Sequence, residues 1–197
     1  MKIEWSMKTR SIQTLGAVLT MAGVAMFVMV VLILHLLQPG YDPRTQLMSE
    51  LALGQHGWAM FLAFLGLASA PFGVQVAISN CGGSRGYRFL LGAAALFFLA
   101  AGIFPLGAAT LIHIGAIAIA FVLAVLGMYF FPTNSGRAST AAPRAVSWSL
   151  AAGVAASITL SQLGIPMGIS QRLAAACLLV WLSIVGWKLF RAISHSR

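Results

Sequence analysis

Carboxylates are nearly missing from this chain: three acidic residues stand against twelve basic ones in 197 positions. No stretch spells a complete catalytic, nucleotide-binding or metal-binding signature, and two His with one Glu from scattered loops do not make a zinc site. Cysteine is almost as scarce. Cys81 falls in a loop and Cys177 in an apolar stretch, so they differ in depth and compartment and support neither a disulfide nor a metal site. Charged residues amount to 8% of the chain against 60% hydrophobic, with a mean hydropathy of +0.94, which excludes a soluble domain.

What is present is six apolar stretches, each about the 20 residues needed to cross a bilayer. They run Ile12–Leu37, Gly57–Ser79, Tyr87–Phe104, Ala109–Phe131, Val146–Ile165 and Leu173–Phe190. Their apolar character is continuous, without the period-2 alternation of a membrane barrel strand, so all six read as helices. The expected architecture is all-α, a single six-helix transmembrane bundle over residues 1–197. The first stretch follows Lys2, Lys8 and Arg10 as a secretory signal would, yet it far exceeds the ~7–15 apolar residues of such a signal. It ends without a small-x-small cleavage site and reads as a true span.

Basic residues are dispersed through short loops, and their distribution is one-sided. With the N-terminus in the cytoplasm, Lys2, Lys8, Arg10, Arg85, Arg88, Arg137, Arg144, Lys188, Arg191 and Arg197 lie inside, leaving only Arg44 and Arg172 outside. The sequence thus predicts a multi-pass protein of the cell membrane with both termini cytoplasmic. The net charge of +9 is then a topology signal facing anionic lipid, and nucleic acid is not an expected partner. The inner connectors 80–86 and 132–143 are short, rich in Gly, Ser and Ala, and leave no room for another domain.

The long external loop Gln38–His56 carries Asp42 and Glu50, two of the three acids. Asp42-Pro43 is a helix start, with Asp as a structural cap and Pro in the first turn, and Gly54 is a stop. Leu47, Met48 and Leu51 would share one side and Gln46 and Glu50 another, predicting a short amphipathic helix. Topology brings further polar groups to this level: His35, His56, His113, Gln162, Gln171 and Arg172. Ionisable groups at membrane depth are costly and tend to be paired or functional. The candidate outer-face site is therefore Glu50, His35, His113 and Arg172, with Glu50 needing a partner such as Arg172 or a histidine from elsewhere.

Other patterns read as packing. Gly66 with Ala70, Ala59 with Ala63, Ala152 with Ala156, and Gly153 with Ser157 are small-xxx-small pairs. Pro71 stands within the second span as a kink site, and Gln75 is expected to bond a neighbouring helix. Trp58, Trp5, Trp148 and Trp187 suit interfacial belts, whereas Trp181 is placed to pack inside. Gly102-Ile103-Phe104-Pro105-Leu106-Gly107 and Gly164-Ile165-Pro166-Met167-Gly168 read as tight turns between spans.

The run His35-Leu36-Leu37-Gln38-Pro39-Gly40-Tyr41-Asp42-Pro43, followed by Ser49-Glu50-Leu51-Ala52-Leu53-Gly54 and Gly57-Trp58-Ala59-Met60, resembles the first-loop signature of the DUF998 family of uncharacterised membrane proteins. Gly102-Ile103-Phe104-Pro105 with His113 resembles its second motif, and Gln171-Arg172-Leu173 a third. The resemblance spans nearly the whole chain and implies a six-helix bundle, with Ser49, Glu50 and His113 as positions to test. It brings no established activity. Leu106-Gly107 stand where the pattern leads one to expect an acidic residue, so any chemistry needing that acid is missing here.

Two function classes follow. The favoured one is non-enzymatic: a bundle whose outer polar site binds lipid or a small amphiphile, or an accessory subunit with a membrane-protein partner, requiring no cofactor and no metal. The alternative is an intramembrane hydrolase or transferase acting on lipid or envelope precursors through Glu50 and His113. Ion-coupled transport ranks third, since the span centres hold no carboxylate and show no broken-helix pair.

Overall fold

A computed structural model describes residues 2–79, 85–131 and 143–194. Cys81, Arg137 and Arg197, with most of both short connectors, lie outside the described residues. Six long helices follow one another: α1 (Lys2–Leu37), α2 (Met60–Ala77), α3 (Arg85–Ile103), α4 (Thr110–Tyr129), α5 (Arg144–Leu160) and α6 (Met167–Ser194). All six include a segment long and apolar enough to cross a membrane. Helix α1 starts ten residues before the apolar run, because a helix need not stop where its side chains stop being apolar. Helix α6 likewise extends beyond the expected Leu173–Phe190 at both ends.

Each helix packs on the next in sequence, and α6 closes the ring against α1. The α1–α2 seam is the tightest because glycines face each other across it. A Cβ at Gly66 would stand 2.7 Å from the Gly23 carbonyl oxygen, and one at Gly23 would meet Gly66 O at 2.5 Å. Seven residues along, Gly16 and Gly73 repeat the arrangement, with a Cβ on either within 2.7 Å of the other's carbonyl. The backbones therefore touch with no side chain between them, which maximises dispersion contact where lipid offers no hydrophobic driving force. Elsewhere aromatic residues fill the space: Phe98 meets Phe121 edge-on at 5.6 Å, and fully buried Trp181 donates to Ser147 Oγ at 2.9 Å.

The ring is fastened at both ends by arginines. Arg10 donates from Nε and Nη2 to the Ile193 carbonyl at 3.1 and 2.9 Å, tying the start of α1 to the end of α6. At the opposite end, Arg172 near the start of α6 reaches His35 near the end of α1. This second end carries the loop joining α1 to α2, together with the tight turns at Gly107 and Gly164, which take φ of +93° and +90°. Those values are costly for any residue with a Cβ.

The loop does not form one continuous short helix from Asp42 to Gly54. It folds instead as one turn at 43–45 followed by the 3₁₀ helix Met48–Leu53. The reason is competition for backbone groups. Gln46 O accepts from Arg172, Leu47 O accepts from Tyr41 at 2.8 Å, and Met48 N donates to Gln171 Oε1 at 2.7 Å. With those groups engaged by α6 and the start of the loop, Leu47 stays extended (φ −68°, ψ 148°) and a continuous helix is broken there.

Candidate functional site

The 3₁₀ helix Met48–Leu53 separates two cavities at the loop end of the bundle. On one side, a cavity of about 360 Å³ is lined by Gln38, Tyr41, Gln46, Glu50 and Gln55. On the other, a cavity of about 300 Å³ lies between α4, α5 and α6, lined by Ser49, His113, Ser170, Gln162 and a wall that includes Ile117 and Phe121. Adjacent residues of the 3₁₀ helix face opposite ways, Glu50 to the first cavity and Ser49 to the second. The larger cavity of about 710 Å³ between α2 and α3 has only Ser69 and Gln75 as polar lining, and the Ser69 hydroxyl is taken by Leu65 O.

Arg172 organises the first side. Its Nη1 donates to Gln46 O at 3.0 Å and Gly168 O at 2.9 Å, while Nη2 reaches Tyr41 OH and His35 Nε2, the latter at 3.1 Å. The His35 tautomer follows from its neighbours. Nδ1 lies 2.6 Å from Val31 O, which can only accept, so Nδ1 carries the proton and Nε2 presents a lone pair to the guanidinium. The His35 and Tyr41 rings meet edge-on at 4.8 Å. Burial pushes the Tyr41 phenol above its ordinary value of 10.0, with the Arg172 hydrogen bond and charge opposing that shift. Gly168 makes the docking feasible, since a Cβ there would collide with Arg44 O and Gln46 O at 2.6 Å. Arg44 O also accepts from Ile169 N at 3.2 Å, a first-turn amide of α6 that donates to Pro166 O at 3.0 Å as well.

Glu50 sits beside this network as a cap. Its Oε1 accepts from Leu47 N at 2.9 Å and Oε2 from Gln46 Nε2 at 3.3 Å, so the carboxylate closes its own 3₁₀ helix. Glutamine at this position retains an acceptor for Leu47 N. Glu50→Gln is thus expected to lower stability by less than about 1 kcal/mol and Glu50→Ala by about 1–2 kcal/mol, read from denaturation midpoints in detergent. A larger loss in the glutamine variant would mean that the negative charge itself holds the loop.

Asp42 caps the preceding turn: Oδ1 accepts from Arg44 N at 3.0 Å and Oδ2 from Thr45 Oγ1 at 2.7 Å. The Thr45 hydroxyl chiefly, then the Arg44 amide, hold its carboxyl below the ordinary value of 3.8. The ionised form is therefore favoured by the fold, so the turn is best supported above that value and loses support as the pH falls below it. Protection of the Arg44 amide against hydrogen exchange, corrected for the intrinsic rate, is expected to fall below pH 3.8 and to be absent in Asp42→Ala at any pH.

His113, in the first turn of α4, lines the second cavity and also a further one of about 370 Å³ beside Phe64 and Ala101. Its Nδ1 lies 2.9 Å from Ala101 O and 3.1 Å from Phe104 O, both acceptors, so Nδ1 is protonated and Nε2 bears a lone pair. The ring is 2% exposed, packs edge-on to Phe64 at 5.3 Å, and Nε2 has no hydrogen-bond partner. Ser170 Oγ, at a residue 3% exposed, is also unpartnered. Buried polar atoms left unmatched cost about 1–3 kcal/mol each.

The sequence-predicted residues thus divide. The fold brings His35 and Arg172 into contact and places Glu50 next to them through Gln46, whereas His113 and Ser49 line the other cavity. His56 is exposed and takes a left-handed conformation, φ 65°. Among the described residues no group of three or more His, Cys, Asp or Glu converges to hold a metal. Tyr41 and Ser170 carry more of the site than the sequence suggested. Tyr41 had only its place in the loop run to mark it, and Ser170 only its position just ahead of Gln171-Arg172.

No curated protein and no solved structure matches the chain significantly. The family model for DUF998, described as a protein of unknown function, matches residues 21–188, a segment that contains both cavities and every candidate site residue. The chain belongs to the DUF998 family.

Proposed function

We propose that this protein binds a lipid or small amphiphile, without catalysing a reaction on it, in the cavity between α4, α5 and α6. In this reading the loop end faces outward, both termini are cytoplasmic, and the cavity opens to the outer leaflet of the cell membrane. The single observation that supports it is a mostly apolar cavity whose few polar lining residues include Ser49, Gln162 and Gln171. Ligand cavities commonly combine an apolar wall with a few such polar groups. At about 300 Å³ it is at the small end of ligand cavities, enough for a head and the start of one chain. Exposed Ile114, Ile158 and Met167 line it where the rest of that chain would leave.

An enzymatic reading through Glu50 and His113 has less support. Those residues line different cavities, Glu50 is engaged as a cap, and His113 Nε2 bonds to no serine hydroxyl for it to activate. Filling the cavity tests the binding reading. Ala118→Trp and Ala174→Leu, both on its lining, are expected to abolish lipid retained through detergent purification, as seen by native mass spectrometry, while leaving the protein monodisperse. Lipid retained equally in both variants would sink it, and a protein partner retained in place of lipid would favour an assembly subunit.

A further inference from the structure

We infer that His35 is an acid-sensitive catch: its neutral ring holds Arg172, and taking up a proton releases the α1–α2 loop from α6. The catch works whatever the cavities bind, because it depends on a bond that a single protonation state can make. His35 Nδ1 donates to Val31 O at 2.6 Å, and Arg172 Nη2 donates to the lone pair of His35 Nε2 at 3.1 Å. A guanidinium nitrogen can only donate, so this contact exists only while Nε2 is bare. Protonation replaces the acceptor with an N–H and sets one cation against another at contact distance.

The surroundings leave that conflict no other outlet. His35 is half-buried in the last turn of α1, where protons can reach it and where a cationic ring suits the helix end and keeps its bond to Val31 O. The opposition comes across Nε2, from Arg172 on α6. On the loop side the ring meets Tyr41 edge-on at 4.8 Å, and the Tyr41 hydroxyl is already shared between Arg172 and the carbonyls of Gln46 and Leu47. The loop's two carboxylates, Asp42 and Glu50, act on Tyr41 through space, but neither is paired with His35. Asp42 accepts from Arg44 N and Thr45 Oγ1, and Glu50 from Leu47 N and Gln46 Nε2. Arg44 and His56, the loop's remaining ionisable groups, are exposed. No carboxylate therefore stands ready to take the new N–H, and the guanidinium must swing away. Its contacts to Tyr41, Gln46 and His35 come from one planar group, so they are lost together.

The Met48 amide reports on the latched loop, since it donates across to Gln171 Oε1 on α6 at 2.7 Å. Its hydrogen exchange is followed in full-length protein in mild detergent from about pH 7.5 to about pH 5, a window that spans the ordinary imidazole value of ~6.5 and lies above ~3.9 for Asp and ~4.3 for Glu. Corrected for the intrinsic rate, exchange is expected to speed up about ten-fold or more on acidification, the loss of one charge-assisted bond. His35→Gln offers Arg172 a carbonyl acceptor at every pH, so its corrected rate should change by less than about two-fold. Nitrogen NMR spectra of histidine-labelled protein supply a second measurement. His35, assigned by replacing the other histidines in turn, should show the Nδ1–H tautomer at the upper pH and become imidazolium as exchange accelerates. Exchange independent of pH in the wild type, an equal acceleration in His35→Gln, or a His35 ring that stays neutral while exchange accelerates would each overturn the assignment. If His35→Gln fails to fold, agreement or divergence of the two wild-type pH curves decides the matter.

Discussion

Gly66→Leu is expected to destabilise the whole bundle by about 3 kcal/mol or more, a large share of the ~5–15 kcal/mol typical of a folded domain. The added side chain would begin with a Cβ 2.7 Å from Gly23 O and 2.9 Å from Phe27 N. Both obstacles are backbone of α1, and unlike a flexible side chain they cannot turn aside. The helices must separate, which also opens the Gly16–Gly73 contact at the other end of the same seam. A control isolates this cause from any general intolerance of glycine replacement. Gly115 in α4 has open space around its Cβ position, so Gly115→Leu should be neutral or mildly stabilising through helix propensity. Thermal unfolding in detergent, followed by loss of the monodisperse peak, compares the two. Equal melting temperatures for Gly66→Leu and wild type would show that the seam is loose.

The spans were legible because hydropathy responds to the solvent a segment meets, and lipid imposes that on every helix alike. Contacts between helices leave a weaker trace. Gly66 with Ala70 was visible as a small-residue pair, but its partner was not, since nothing in α2 says which helix faces it. The matching seven-residue spacing of Gly16 with Gly23 and Gly66 with Gly73 becomes informative only once α1 and α2 are known to be antiparallel neighbours. The loop failed differently. Asp42, Gln46 and Glu50 do make the local bonds their spacing suggests, yet three backbone groups at 46–48 are captured by residues outside that segment. Local pattern predicts local bonds and is silent about distant competitors.

The site shows the same division. His35 and Arg172 lie 137 positions apart and meet because α6 closes the ring onto α1. Hydropathy placed both near one membrane face, but their order around the ring is not encoded in it. Ser49 and Glu50 are neighbours in sequence and part company because a short helix presents consecutive side chains in different directions. The histidine tautomers, which decide what each ring can bind, depend on the carbonyls of Val31, Ala101 and Phe104 and belong wholly to the folded state.

Arg172→Ala is the second large effect, with an expected loss of about 3 kcal/mol and release of the α1–α2 loop. A hydrogen bond from a charged donor contributes about 1.5–3 kcal/mol, and here one guanidinium bridges two loop groups, Gln46 O and Tyr41 OH, to His35 on α1. Truncation also strips Tyr41 OH of its donor while its own proton stays committed to Leu47 O. Trypsin reads the release directly, because Arg44 is the sole Lys or Arg in the loop and its carbonyl is held on Ile169 N at 3.2 Å. Cleavage after Arg44 should be slow in wild type and fast in Arg172→Ala. Lysine distinguishes what the arginine does. If its charge alone mattered, as in attraction of an anionic headgroup, Arg172→Lys would restore protection. If the planar fork matters, a single ammonium cannot span Gln46 O, Tyr41 and His35 at once, and Arg172→Lys will cleave almost as fast as Arg172→Ala. The geometry supports the second outcome, and full protection in the lysine variant would refute it. Because Gln171 next in sequence holds Met48 N at 2.7 Å and lines the His113 cavity, release of the loop should also shift Ser49 and weaken lipid retention. The Arg172 network thus supports one wall of the cavity through the loop it holds.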